Sequence, residues 1–313
     1  MSRVVVVGSL NVDTTSYVDA FPRPGETVRS TGHLVALGGK GANQAIAAHR
    51  CGAQVVFVGR VGEDAAADVA RATLSRSGLA DDAVETVPGT PTGVAQITVA
   101  ASGENTIVTT AGANAALDAA AITAERHRLA DADVVLTQGE LPAPAIEALA
   151  SACVEEGPRL VLNLAPPVPL DAGALAVADP LVVNAHEARD AGVGRDLPDA
   201  APLDDWRAAA ASATGALARS IVVTLGAAGA VAADASGAWS VPAPRVEAVD
   251  TTGAGDAAAG ALAAMLAEGR TLREAVRVAV AAGAIAVQGR GTIDSYGDRD
   301  AVLALAADAE GPS

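Results

Sequence analysis

Aromatic side chains are almost missing from this chain: two Phe, two Tyr and two Trp in 313 residues. Val, Leu, Ile and Ala must therefore build the core, within a hydrophobic share of 50%. Basic charge is also short, with 21 Lys and Arg against 37 Asp and Glu and a formal net charge of −16. That balance argues against a nucleic-acid partner or an anionic-membrane surface. It also leaves any anionic substrate to be held by local devices rather than by the overall field. Cysteine is limited to Cys51 and Cys153, which read as buried free thiols of a cytoplasmic protein. The histidines, His33, His49, His127 and His186, lack metal-ligand spacing and give no zinc site. No run approaches the roughly 18 apolar residues of a membrane span. Met1-Ser2-Arg3 ahead of Val4–Val7 is too short for a signal peptide and reads as the entry to a strand.

What is present alternates. Short β-branched runs, Val4–Val7, Val55–Val58, Val134–Thr137, Leu160–Leu164, Leu181–Asn184 and Ile221–Leu225, are continuous in apolar character. This suits strands buried on both faces of a mainly parallel sheet. Alanine-rich stretches between and after them predict helices over Gly41–Arg50, Ala65–Ser77, Pro144–Glu155, Leu203–Arg219, Asp256–Glu268 and Leu272–Gln288. The alternation implies an α/β, three-layer, doubly wound fold, with ligands beyond the carboxyl ends of the strands. Two segments differ, alternating polar and apolar residues around the turns Phe21-Pro-Arg-Pro-Gly-Glu and Ala101-Ser-Gly-Glu-Asn. They read as antiparallel hairpins forming a small separate sheet. The expected division is residues 1–12, 38–91 and 112–313 as the α/β domain, with 13–37 and 92–111 as a β lid. The last residues, Asp308–Ser313, are expected to fray.

Five constellations carry candidate chemistry. In Asp250-Thr-Thr-Gly-Ala-Gly-Asp256 two acids bracket a glycine-rich turn that opens a helix. The N–H groups and dipole of that helix make an anion hole. A carboxylate beside a phosphate cradle makes sense if Asp256 takes a proton from an attacking hydroxyl; the bland alternative is a turn with Asp256 near a helix cap. Gly253-x-Gly255-x-x-Ala258 formally matches a dinucleotide fingerprint, but it falls late in the chain, Val276–Val280 occupies the ribose-acid region, and Asp256 would crowd a pyrophosphate. Gly38-Gly-Lys-Gly-Ala-Asn43 holds Lys40, the single lysine of the chain, at the start of a helix. It reads as a loop approaching a ligand, with Asn43 facing the same spot, or as a turn whose lysine faces solvent. It is no Walker loop, since Gly41 follows the lysine and Leu34 occupies the earlier glycine position. In Gly8-Ser-Leu-Asn-Val-Asp13, Asn11 and Asp13 are two apart and share a side in extended chain, which suits a polyol or simple loop capping. Asn184-Ala-His-Glu187 fits a capping box or a role in organising Mg²⁺ and phosphate. Thr224-Leu-Gly-Ala-Ala-Gly229 follows a buried strand and resembles a nucleotide-approach loop.

Taken in order, these segments, with Pro24-Gly-Glu-Thr27, Thr92-Gly-Val-Ala95 and Ala111-Gly-Ala-Asn114, resemble the ribokinase-like carbohydrate kinases, the phosphofructokinase-B type. The resemblance runs from Val4 to about Ser295. Gly38–Ala45 and the run Asn105–Asn114 are most like the family's ribokinase branch.

The resemblance implies roles. Asp256 matches the catalytic base, and Gly253, Ala254 and Gly255 the anion hole. Asn11, Asp13, Gly39, Lys40, Asn43 and Glu140 match sugar-binding positions. Asn184, Thr224, Gly226, Gly229 and Gly255 match the ATP side, and Glu187 a position linked to Mg²⁺. Asp250, Thr252, Ala286, Gly289, Gly291 and Ser295 match a site for an activating monovalent cation, usually K⁺. Three departures stand out: Ala258 where the family usually has Phe, Val280 where an Asn or His often flanks adenine, and Gly291–Tyr296 in place of G-A-x-x-S-x-P. The implied activity is ATP-dependent phosphorylation of the primary hydroxyl of a furanose, with D-ribose expected first. The alternatives are a kinase for fructose, deoxyribose, a keto-deoxy sugar acid or a nucleoside, or a non-catalytic sugar-binding protein. A homodimer through the lid is expected, because a one-sided sheet buries its apolar face.

Overall fold

The computed structural model describes residues 2–198 and 200–308. The expected fraying falls on residues 309–313, outside that range, while Asp308 closes the helix Arg299–Asp308. A sheet of nine strands runs in the order β13-β12-β11-β10-β9-β8-β1-β4-β5. Its strands are β1 (Arg3–Val7), β4 (Gln54–Val61), β5 (Val84–Thr86), β8 (Val134–Gln138), β9 (Arg159–Asn163), β10 (Leu181–Asn184), β11 (Ile221–Thr224), β12 (Ala230–Asp234) and β13 (Gly237–Val241). All six predicted apolar runs are strands of this sheet, paired in parallel from β5 through β11.

Their continuous apolar character follows from burial on both faces. Val4, Val6, Val134 and Leu136 pack into one core, whereas Val5, Val7 and Val135, alternate residues of the same strands, pack into another. The first core lies under the helices Lys40–Arg50, Ala254–Ala267 and Leu272–Ala286; the second holds Trp206 and the helix Ala143–Glu156.

One prediction needed adjustment, and one strand pair had not been read in the sequence. The helix expected over Leu203–Arg219 stops at Ala213, because Thr214 is extended and Gly215 takes a left-handed φ of 80°. The alanine-rich composition on both sides of this break concealed it. Strands β12 and β13 pair antiparallel at the sheet edge; Ala230-Val-Ala-Ala-Asp has little of the β-branched character that marks a strand.

The second sheet has the order β3-β2-β6-β7, with β2 (Asn11–Val18), β3 (Gly32–Gly38), β6 (Gly93–Ala100) and β7 (Asn105–Thr110). Each predicted hairpin is antiparallel, β2 with β3 and β6 with β7, and the two join through the parallel pair β2–β6. Asp64 accepts from the N–H and hydroxyl of Thr92, which anchors the second hairpin at its root.

The helices Lys40–Arg50 and Ala254–Ala267 touch backbone to backbone. A Cβ on Gly260 would sit 2.5 Å from Gln44 O and 2.8 Å from Ala48 N. Gly260→Ala adds helix propensity of about 0.5–1 kcal/mol in an exposed helix, yet here it must force the helices apart. The expected outcome in a denaturant melt is a net loss of about 1–3 kcal/mol. A stabilised variant would contradict the contact.

Candidate active site

The carboxyl ends of the parallel strands gather the predicted residues. Asn184 and Thr224 end β10 and β11 side by side, Glu140 follows β8, and Asn11 opens β2 just after β1. On the helix Lys40–Arg50, residues 40, 43 and 44 are spaced i, i+3, i+4 and so share one face. That face meets Asp256, in the first turn of the helix Ala254–Ala267 and only 5% exposed. Asn43 Nδ2 donates to Asp256 Oδ2 at 3.1 Å, Gln44 Nε2 donates to Oδ1 at 2.9 Å, and Lys40 Nζ stands 3.7 Å from Oδ1. Lys40 therefore faces the site rather than solvent. The Asp256 carboxylate raises Lys40 above the ordinary lysine value; burial opposes this, and Glu140 and Glu187 reinforce it.

Close backbone packing shapes the loop before Lys40. Gly39 caps the helix at φ 87°, with Asn11 N 2.8 Å from where its Cβ would be. Gly41 lies against the backbone of Gly8. Glu140 Oε2 accepts from Lys40 N at 3.0 Å and from the Ser9 hydroxyl, so it clamps the loop. Asn11 Oδ1 accepts from Asn114 Nδ2 at 2.8 Å, and Asn114 also accepts from Leu10 N. Asp13, on the same face of β2 as Asn11, keeps a buried Oδ1 with no hydrogen-bond partner, as does Asn43 Oδ1. Burial, then Glu140 and Asp256, push the Asp13 carboxyl up to about 6.

Gly253 starts the helix in a left-handed conformation with φ 77°. The first-turn N–H groups of a helix have no intrahelical acceptor, and nothing stands within 4 Å of a Cβ on Gly255, so the space above the turn is open. On the far side of Gly255 lies a cleft of about 590 Å³, lined by Asn184, Thr224, Gly226 and Gly229 together with Thr251 and Ala254. Ala258 and Val280 are both in its wall, so these two departures act on the cleft itself. Asn184 and Glu187 form a complete capping box, each side chain bonded to the other's backbone N–H. Glu187 also faces the site: burial raises its carboxyl, while the Asn184 N–H and Lys40 draw it back and Asp256 repels it.

Asp250 joins two segments, its Oδ1 accepting from Thr252 N at 2.9 Å and its Oδ2 from Gly291 N at 3.0 Å. Burial alone would raise this carboxyl, but those bonds hold it below its ordinary value. Ala286, Gly289, Gly291 and Ser295 follow on the second segment, where the Ser295 hydroxyl donates to Gly291 O and Thr292 O. Tyr296 donates to Gly253 O at 3.2 Å; burial, ahead of Asp256, pushes its phenol well above the usual value, so it remains a neutral donor. The sequence reading gave no role to Gln44, Asn114, Asn163 or Tyr296. Gln44 carried a signal in its i+4 spacing from Lys40, and Asn114 in closing the motif Ala111–Asn114.

An acid beside an open helix N-terminus, next to a cleft, is the arrangement of a phosphotransferase acting on an alcohol. The profile of the pfkB family carbohydrate kinases matches residues 1–299. A ribokinase from Haemophilus influenzae is 32% identical over 96% of this chain and 97% of its own. A deoxyribokinase from Salmonella typhi is 33% identical over 94% and 95%. Among solved structures, an Arabidopsis thaliana ribokinase complexed with ribose and ATP superposes with a TM-score of 0.87 at 30% identity, covering 97% of this chain and 98% of that one. Escherichia coli phosphofructokinase-2 in complex with potassium gives 0.80 at 26%, covering 99% and 100%. The chain belongs to the pfkB family of carbohydrate kinases and is an ATP-dependent sugar phosphotransferase. No helix among the described residues is long and apolar enough to cross a membrane.

The Asp13 charge gives a pH test. Its folded value, about 6, lies above the 3.8 of an ordinary aspartate, so the folded state binds the extra proton between those values. Stability of the sugar-free protein should fall as pH rises through that window, by roughly 2–3 kcal/mol once ionisation is complete. Asp13→Asn should therefore stabilise the sugar-free protein at about pH 8 and lose most of that gain near about pH 4, as read from urea melts. Equal stabilities at both pH values would contradict the burial of this charge.

Proposed function

We propose that the protein phosphorylates the primary hydroxyl of a furanose, D-ribose first, to give ribose 5-phosphate. The observation that carries this reading is the pair of unpartnered buried acceptors, Asp13 Oδ1 and Asn43 Oδ1, beside Asp256 and Lys40. Orphaned acceptors are costly unless a ligand supplies hydroxyl donors, and a polyol does. Asn11, Asp13, Gly39, Lys40, Asn43 and Glu140 hold the sugar; residues 13–37 and 92–111 form a lid over it, and the rest of the chain is the α/β body. Asp256 takes the proton as the primary hydroxyl attacks the γ-phosphorus in line, and the N–H groups of Gly253, Ala254 and Gly255 receive the transferring phosphoryl group. A positioned base contributes about 10²–10⁴ in rate. Asn184, Thr224, Gly226, Gly229 and Gly255 hold ATP in the cleft.

Among the described residues no group of three or more acidic, His or Cys side chains forms a metal cage. This fits Mg²⁺ arriving on the nucleotide and meeting at most a carboxylate such as Glu187, which spares one oxygen from its capping bond. Mg²⁺ bound with ATP neutralises charge on the triphosphate. The donors at Asp250, Thr252, Ala286, Gly289, Gly291 and Ser295 amount to one carboxylate, with hydroxyl and backbone oxygens for the rest. That low charge suits a monovalent cation such as K⁺. The two buried free thiols fit a cytoplasmic setting.

Three carboxylates, Glu140, Glu187 and Asp256, surround Lys40, and a fourth, Asp13, feels Glu140 and Asp256. This disfavours a sugar acid, and the lack of aromatic residues among these contacts disfavours a nucleoside. The test is ADP release over ribose, deoxyribose, fructose, sugar acids and nucleosides, in K⁺, Na⁺ and Li⁺. Ribose should lead, fastest in K⁺. A lead by deoxyribose or another acceptor would overturn the ribose assignment, equal rates in all three salts would remove the cation site, and no release with any sugar would favour a sugar-binding protein.

We also infer a homodimer through the lid. Strand register puts Tyr17, Leu34 and Ile107 on the face that carries Asp13, and they are 42%, 47% and 53% exposed. Light scattering should give twice 30.7 kDa; the mass of one chain would exclude the dimer.

A further inference from the structure

We propose that Gln44 is a positioning residue for the base, acting through a buried relay that ends on the backbone of β10. The inference rests on the assignment of Asp256 as base. Gln44 is fully buried, and Asn163 is 7% exposed. Asn163 Nδ2 donates to Val182 O at 3.1 Å, which turns its Oδ1 toward Gln44. Gln44 Nε2 donates to that Oδ1 at 2.8 Å and to Asp256 Oδ1 at 2.9 Å. Gln44 Oε1 accepts nothing, so the amide sits in this core for its nitrogen alone. A position chosen for packing would take an apolar side chain, which leaves no acceptor stranded.

The relay links four elements: β10 through Val182 O, the end of β9, the Lys40–Arg50 helix and the first turn of the Ala254–Ala267 helix. Asp256 is pinned at both oxygens, by Asn43 on Oδ2 and by Gln44 on Oδ1. The two donors differ in what holds them. Asn43 lies beside the expected sugar, so its bond can be traded when the sugar enters. Gln44 is fastened to the sheet by Asn163 and keeps the carboxylate in one rotamer, with or without ligand. Removing that anchor lets the base swing by a fraction of its reach, and a misplacement of about 1 Å can lower turnover about 10²-fold. Among the described residues the Gln44 side chain bonds only Asp256 and Asn163, so sugar binding should be spared.

The test is steady-state ADP release, with whichever sugar gives the fastest turnover, for Gln44→Met, Asn163→Ala, the double variant and Asp256→Asn. Gln44→Met should lower kcat about 10–100-fold while KM for the sugar stays within about threefold of wild type. Asn163→Ala should show a smaller loss of the same kind. The double variant should be no slower than Gln44→Met, because both substitutions break one relay. If Gln44→Met does not fold, the kcat-against-KM split in Asn163→Ala carries the test. A folded Gln44→Met or Asn163→Ala enzyme with wild-type kcat, beside an inactive Asp256→Asn, overturns the relay alone; so do losses that multiply in the double variant or that fall on KM. Turnover retained by Asp256→Asn removes the base assignment, and the relay with it.

Discussion

The site depends on one close contact, between the helices Lys40–Arg50 and Ala254–Ala267 at Gly260. Asp256 and Gly260 are four residues apart and so lie on one face of their helix. Where Gly260 lets the backbone of Gln44 approach, the side chains of Asn43 and Gln44 reach the carboxylate one turn away. A larger residue at 260 would widen the gap and detach both donors together. The apolar environment of the Ala254–Ala267 helix, buried at eleven of its positions from Asp256 to Leu266, holds that contact against the sheet. A core of small and β-branched residues, with few aromatics to act as wedges, permits helices this close.

Around the contact the protein accepts a costly electrostatic arrangement. Glu140, Glu187 and Asp256 crowd one lysine, Asp13 adds a further acid beside Glu140 and Asp256, and buried acceptors among them lack partners. Strain of this kind persists where the surrounding structure over-determines it, and it gathers at functional sites. Asp13 is the clearest case, a carboxylate raised to about 6 by burial and like charge and supplied with no donor of its own. The same feature that weakens the sugar-free fold prepares a strong acceptor for hydroxyl groups. The cleft beyond Gly255 is built differently, with an apolar wall beside an open helix N-terminus. The two halves meet at Gly255 and Asp256.

Much of this was legible in the sequence, for reasons that differ by element. Strands β1, β4, β8, β9, β10 and β11 announced themselves because burial on both faces demands uninterrupted apolar runs. The two hairpins of the second sheet showed through their polar–apolar alternation. Asp256, Lys40, Asn11 and Asp13 stood out because glycines and isolated charges beside them had no packing purpose. Asn163 and Tyr296 did not stand out, and Asn114 appeared in a motif without a role, since each acts through a partner far away in the chain: Gln44, Gly253 and Asn11. No local spacing encodes such a contact. Glu187 read equally as cap or functional group, and the structure makes it a cap that also faces Lys40 and Asp256. Strand β12 and the early end of the helix Leu203–Ala213 were hidden by alanine, which fills helices, edge strands and loops alike in this chain.

The most direct measurement of the central claim is a crystal structure of the protein with ribose and a non-hydrolysable ATP analogue. The account predicts the primary hydroxyl within about 2.6–3.2 Å of the Asp256 carboxylate, with the γ-phosphate over the N–H groups of residues 253–255. The other hydroxyls should satisfy Asp13 Oδ1 and Asn43 Oδ1. A sugar bound with its primary hydroxyl turned away from Asp256, or a γ-phosphate remote from that helix terminus, would contradict it.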